Sequence, residues 1–417
     1  MNIRRVTAIA ACATLALGLA ACGGDSGTGT DGANGEADPR ANQMYTWVSN
    51  ESDREQWETF ITGVQEGGDS EFDITLDGPS FQEYWTLVKT RMAASDAPCI
   101  ITTQAARAQE LGSLLSPLDD LAKDAGLDLS QYNEAMMQGL TVDGTIRAIP
   151  YDAEPMLLFF NKEMFEAAGL ELPGADYSRE QFLSDAKALT KDDKYGFAVS
   201  ADIGYPPLAL SFANGVGPTK DGELNLTDPA LIEDVQWTMD LVNKEQVAAA
   251  PNPGDTDEIG RQAFMAGNVG MFIDGPWFYS TYQEGSDFEV GIAAPPSDDG
   301  TPGGMIQGSG FGVADSCPDK AAAFENIVKM TTPDVVGYVG ANRGTVPSIE
   351  SAIDGWAEGK PEADVEVVKA LLASGQPLVT TPTWNQVVTQ FAQYSSDGYR
   401  GNKTAEDILT QIAQGVG

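Results

Sequence analysis

Residues 156–160, Met-Leu-Leu-Phe-Phe, form a continuous apolar run. It is too short to cross a bilayer and has the length of a buried strand. Just upstream, Pro150 and Pro155 push Ile149 and Glu154 out of the helical region, so 149–162 begins as extended chain. Before this stretch, short apolar segments alternate with stripes of helical period. Residues 44–49, 72–76 and 99–103 read as strands. Residues 53–64 set Trp57, Phe60, Ile61 and Val64 at helical spacing, and 84–92 read as a second amphipathic helix. This alternation predicts an α/β fold with a parallel sheet. Ligands of such sheets sit beyond the carboxyl ends of the strands, where Trp47, Ser49, Asn50, Thr103 and Gln104 fall.

After the apolar run, 162–168 read as a helix closed by Gly169, and 195–199 as a strand leading to Asp202, Tyr205 and Pro206-Pro207. Asp228-Pro229 opens a helix with Leu231, Val235 and Met239 on one face. Residues 269–273 read as a strand ending in Asp274-Gly275-Pro276-Trp277-Phe278-Tyr279, and three aromatics in a row fit an exposed turn poorly. Residues 307–314 read as a strand whose glycines allow close backbone approach to a ligand, with Ser309 a contact candidate. Cys317-Pro318 starts a helix, and 365–372, 384–391 and 404–412 are helical, the last behind a Thr-x-x-Asp start. The chain contains no internal repeat.

Tyr151, Asp152 and Glu154 stand at the mouth of the buried run. A strand that only fills a core needs none of them. They suit a segment that crosses between lobes with its polar residues lining a cleft, and equally a surface loop leading into a core strand.

Length and charge narrow the choice. A chain of 417 residues carries a prior of two or three domains. Its formal charge is −38 with no histidine, which excludes Ser-His-Asp and Cys-His nucleophile pairs and histidine metal sites. So acidic a surface repels nucleic acid and anionic lipid. Residues 1–21 read as a targeting segment: Arg4 and Arg5 are the positive region and 6–19 the apolar one. Leu19-Ala20-Ala21-Cys22-Gly23 resembles a bacterial lipobox, in which Cys22 is lipidated and becomes the mature N-terminus. A buried cysteine in a plain secretory signal is the alternative. Residues 22–42, rich in Gly, Ser, Thr, Asp and Ala, read as a flexible tether reaching about 25 Å.

In order and spacing, five stretches resemble the extracellular solute-binding proteins of carbohydrate ABC importers, the family that includes maltose-binding protein. They are 45–49 behind the lipobox, 93–104 leading to Leu114-Leu115-Ser116-Pro117-Leu118-Asp119, 142–162, 267–277, and 308–316 with its following helix. The resemblance spans nearly the whole mature chain. It implies an α/β, two-lobed periplasmic-binding-protein-like fold with a ligand cleft between lobes joined by crossing strands. The implied lobes are 43–150 with 303–332, and 151–302 with 333–417, the last crossing falling near 332–336. It also implies a lipid-anchored protein on the outer face of the cell membrane, monomeric and without cofactor or metal, that delivers sugar to permease subunits.

The resemblance assigns Glu154 to the cleft carboxylate and Asp202 and Tyr205 to the second lobe's acid and aromatic. Trp277 and Trp384 match sugar-stacking tryptophans, and Gln104 lies on the loop of first-lobe contacts, where the usual aromatic and acid are missing. Trp47, Asn50, Asp152 and Ser309 complete the candidate set. Trp47 and Trp277 are also compatible with plain core, and Tyr151 and Asp152 with hinge capping. The family fold further sets the start of the Cys99 strand beside the end of the returning strand before Cys317, which implies a disulfide between them.

Sugars suit these residues. Carboxylates and amides bond several hydroxyls at once, charge-assisted bonds being the stronger kind, and Trp and Tyr offer flat apolar area. A lipid-anchored glycoside hydrolase would use the same aromatics and two carboxylates. A polyamine-binding protein would also suit an acid-rich cleft.

Overall fold

The computed structural model describes residues 38–416. The targeting segment, Cys22 and most of the tether lie outside the described residues. The expected end of the tether at residue 42 is corrected. The Asp38 carboxylate accepts the Arg40 N–H at 2.9 Å and caps a short turn, Pro39–Asn42. Ala41 is buried there, and the Arg40 carbonyl accepts the Cys99 N–H at 3.0 Å. The chain is therefore docked before its first strand.

Strand Gln43–Tyr45 pairs in parallel with Thr75–Asp77 and with Ile100–Gln104. The returning strand Ser309–Val313 runs antiparallel beside Ile100–Gln104, and Ile149–Pro150 closes that edge. Helices Glu51–Glu66, Phe81–Met92 and Lys320–Met330 share one core with this sheet through the stripes expected of them, such as Trp57, Phe60 and Val64.

A second sheet has the order Val290–Ala293, Leu157–Asn161, Val269–Asp274, Tyr195–Phe197. Leu158 and Phe160 pack into one core, Leu157 and Phe159 into another. Both faces of the strand are covered, which is why 156–160 is apolar at every position instead of alternating.

Three short strands, Glu154–Pro155, Met305–Gln307 and Gln376–Pro377, make a small joining sheet. Pro155 and Pro377 both stand opposite Ile306, one on each edge. Proline has no N–H to donate, so neither edge can recruit another strand at that level. The joint stays thin.

The expected boundary at 332–333 is corrected. Val335, Val336 and Val339 of helix Pro333–Arg343 lie in the first core, not the second. The helix packs so closely on Glu51–Glu66 that a Cβ added to Gly63 would stand 3.2 Å from the Tyr338 ring. After this helix, Val346 is the next residue in a core of the second sheet, while Ile349 and Ala352 still pack in the first.

Cys99 and Cys317 form a disulfide across a sequence separation of 218, with Cα atoms 4.9 Å apart. The Ala314 N–H donates to the Cys99 carbonyl at 2.8 Å, so the strand pairing itself brings the two cysteines together. On the loop-entropy model a cross-link over this span stabilises by about 5 kcal/mol. Replacing both cysteines by serine is expected to lower the melting temperature, and non-reducing peptide mapping to recover the two as one linked pair. Two free thiols, or an unchanged melt, would contradict this.

Candidate functional site

The joining sheet and its flanks gather polar side chains that a core would exclude. Asp152 and Glu154 are only 5% and 2% exposed. Asp152 Oδ1 accepts the Ser309 N–H at 2.5 Å, and Glu154 Oε1 accepts the Val346 N–H at 3.2 Å. Glu154 Oε2 is buried without a partner. Removal from water disfavours the charged form of each acid. Burial pushes Asp152 up to about 7, against the Ser309 N–H and the Arg343 guanidinium. Glu154 is held well above the usual carboxylate range, first by burial and then by Asp152. The Arg343 guanidinium lies over the Trp57 ring, 4.0 Å from its centroid, and its Nη1 is itself unpartnered.

Gln307 stands directly opposite Glu154 in the joining sheet, so the two side chains share a face. Its Nε2 donates to Tyr205 Oη at 3.1 Å, tying the joint to the second lobe. Asp202 Oδ1 accepts the Gly204 N–H at 2.7 Å. Burial, reinforced by Asp257, pushes Asp202 up to about 6, while Arg107 opposes the shift. Trp277 is half-buried in the turn Pro276–Phe278, which packs beside Glu154–Pro155. Its ring folds back over Gly275, where a Cβ would stand only 2.2 Å from it. Beneath this turn, buried Asp274 accepts bonds from Tyr282 Oη and, at 3.1 Å, from Arg261 Nε. The Arg261 guanidinium sits 3.6 Å from the Phe278 centroid. That ion pair fixes the platform.

From the first lobe, half-buried Gln104 lies opposite Ser309. Three of the expected contacts are corrected. Trp47 is 8% exposed and meets Trp57, Phe81 and Tyr84 edge-on, while its carbonyl accepts Trp57 Nε1 at 2.7 Å. It is core. Asn50 is exposed and its Oδ1 accepts the Asp53 N–H at 2.9 Å, capping helix Glu51–Glu66. Trp384 is 3% exposed in the second core, in the same cluster as Val387 and Phe391.

Arg107, Gln307 and Arg343 are absent from the sequence-based set. Arg107 Nη1 bonds Asn385 Oδ1 at 3.2 Å on helix Trp384–Tyr399, and Thr380 Oγ1 bonds the Ala106 carbonyl at 2.7 Å. Residues 106 and 107 thus bridge the lobes. Among the described residues, no group of three His, Cys, Asp or Glu side chains could hold a metal ion. The assembled groups offer hydroxyl donors and acceptors around one flat apolar ring.

The profile of the family described as bacterial extracellular solute-binding protein matches residues 65–337. The chain is 22% identical to the maltodextrin-binding protein of Bacillus subtilis over 99% of its length and 98% of that protein. It is 24% identical to the diacetylchitobiose-binding protein of Streptomyces coelicolor, over 92% of this chain and 90% of the other. An ABC substrate-binding protein from Listeria monocytogenes in complex with cycloalternan superposes with a TM-score of 0.77 at 18% identity, covering 90% of this chain and 97% of that one.

Two measurements check this geometry. Truncating Trp47 or Trp384 to Ala is expected to cost about 3–5 kcal/mol of stability, whereas Trp277→Ala, at a half-exposed ring, costs markedly less. Equal losses at all three positions would put Trp277 in the core. The second concerns pH. Asp152 binds its proton more tightly folded than unfolded, so its stabilisation is full below about pH 4 and is lost as pH rises towards about 7. Asp152→Asn keeps the acceptor for Ser309 but does not titrate. It should gain on the wild type by up to about 1.4 kcal/mol per pH unit across that window and level off above it. A stability difference independent of pH would contradict the burial of this charge.

Proposed function

Because the chain belongs to the bacterial extracellular solute-binding proteins, we propose that it captures a sugar or oligosaccharide between its lobes and hands it to an ABC importer. The observation that carries the reading is the cleft set at the joint: Asp152, Glu154 and Gln307 on the crossing strands, with Asp202, Tyr205 and the half-buried Trp277 beside them. Carboxyl and amide groups bond sugar hydroxyls, and the indole covers a ring face. The maltodextrin- and diacetylchitobiose-binding relatives support a carbohydrate. The family is one of binding proteins, so the hydrolase alternative falls. A polyamine ligand is left for titration to decide.

The first lobe comprises 38–150 and 303–332, extended by helix Pro333–Arg343; the second comprises 151–302 and most of the chain after that helix. Gln104 and Ser309 are first-lobe contacts. Cys22 carries the lipid, and the tether holds a monomeric domain clear of the outer face of the cell membrane, within reach of the permease subunits. No cofactor takes part.

Calorimetric titration of purified protein with mono- and oligosaccharides is expected to find a stoichiometric sugar, recovered unchanged by chromatography after long incubation. Trp277→Ala is expected to weaken that sugar by about 1–3 kcal/mol, if stacking on a sugar face compares with base stacking on aromatics. No binding by any sugar, tight binding of spermidine instead, or a rising yield of shortened sugar would overturn the reading.

A further inference from the structure

The sequence suggests that every cleft carboxylate serves as a charged acceptor. The structure separates them. Asp202 keeps part of its surface exposed and has an N–H partner from Gly204. Asp152 and Glu154 are removed from water together, two residues apart on one crossing segment. Asp152 has the short bond from the Ser309 N–H, which favours its anion. Glu154 has one N–H, from Val346, on Oε1, and nothing on Oε2. The charged groups acting on Glu154 are Asp152, which opposes its ionisation, and Arg343, which favours it. Arg343 is drawn over Trp57 at the end of helix Pro333–Arg343 and leaves Glu154 Oε2 unpaired. Two buried carboxyls without a bound cation do not both ionise; one keeps its proton.

We infer that Glu154 meets the ligand as a neutral carboxylic acid, its Oε2–H donated to an acceptor oxygen of an uncharged sugar, and that the cleft therefore selects against cationic amines. This rests on the sugar-binding reading above and says which sugars that site takes. The geometry is direct: Oε1 is occupied as an acceptor, so the proton belongs on Oε2, the oxygen without a partner. A hydroxyl, ring or N-acetyl carbonyl oxygen satisfies it. An ammonium group, which only donates, would need the proton gone and a buried charge made. The net charge of −38 is no guide to the ligand here.

The test uses the full-length protein with maltotriose, N,N′-diacetylchitobiose and the de-N-acetylated chitobiose as probes, titrated from pH 5.5 to 9. Asp202 and Asp152 also titrate in this window, so the Glu154 contribution to the affinity of whichever neutral sugar binds is read as the difference between the wild type and Glu154→Gln. That contribution should fall towards tenfold per pH unit once Glu154 ionises in the free protein. Glu154→Gln presents Oε1 as acceptor and Nε2 as donor in the same places. It should remove the alkaline fall, and its melting curve shows that it is folded. Glu154→Ala should lose affinity at every pH. The de-N-acetylated sugar should bind more weakly than its acetylated form. An alkaline fall that persists unchanged in Glu154→Gln, or a preference for the amine, would overturn the inference while leaving a sugar-binding protein. No binding by any probe at any pH overturns the sugar reading itself, and the inference with it.

Discussion

The joint between the lobes depends on keeping Asp152 and Glu154 out of water while satisfying them with backbone N–H groups. Isolated ionised carboxylates are costly to bury; burial shifts both acids towards the neutral form, and backbone N–H groups bond each of them. The bonds come from Ser309 and Val346, 157 and 192 residues away along the chain. Each ties the outgoing crossing segment to a later passage of the chain. The carboxyl pair thus holds together strands that the thin joining sheet could not. That sheet has only short strands, with prolines opposite Ile306 on both edges.

Charge is handled differently elsewhere. Where the structure needs rigidity, it pairs acids with arginine: Asp274 with Arg261 beneath the Trp277 turn, and Glu110 with Arg107 at 3.4 Å near the lobe bridge. Arginines also lie near aromatic rings, Arg107 at 5.1 Å from Trp85 and Arg343 over Trp57, which anchors their long side chains. Most of the excess acid is left for solvent. The few acids inside the cleft are those that burial and local bonds have individually adjusted.

Much of this was legible from local pattern. The run 156–160 declared a buried strand, and Gly275-Pro276 marked the turn that half exposes Trp277. Glu154 was placed at the mouth of the strand by its flanking prolines. The tryptophans divided on information that sequence held only in part. Trp47 is buried by Phe81, Tyr84 and Trp85, more than thirty residues downstream, so no local pattern could report it. Trp384 was different: with Val387 and Phe391 it forms a helical apolar stripe, a signal outweighed by the family resemblance. Asn50, three residues before Asp53, had the spacing of a helix cap. Arg107 and Arg343 had no signal for a place at the joint, because Asn385 and Trp57, which they meet there, lie on distant elements. The upward shift of the Glu154 carboxyl was equally hidden, since it comes from burial by distant elements and from Asp152, against the Val346 N–H and the Arg343 guanidinium.

The central claim is that the joint holds a proton where the sequence shows only two acids. Carboxyl ¹³C NMR of labelled protein, assigned through Asp152→Asn and Glu154→Gln and titrated without ligand, reads this directly. Glu154 is expected to keep the chemical shift of a protonated acid through neutral pH, while Asp152 titrates at about 7. Two ordinary titrations near the reference values of about 3.9 and 4.3 would contradict the account.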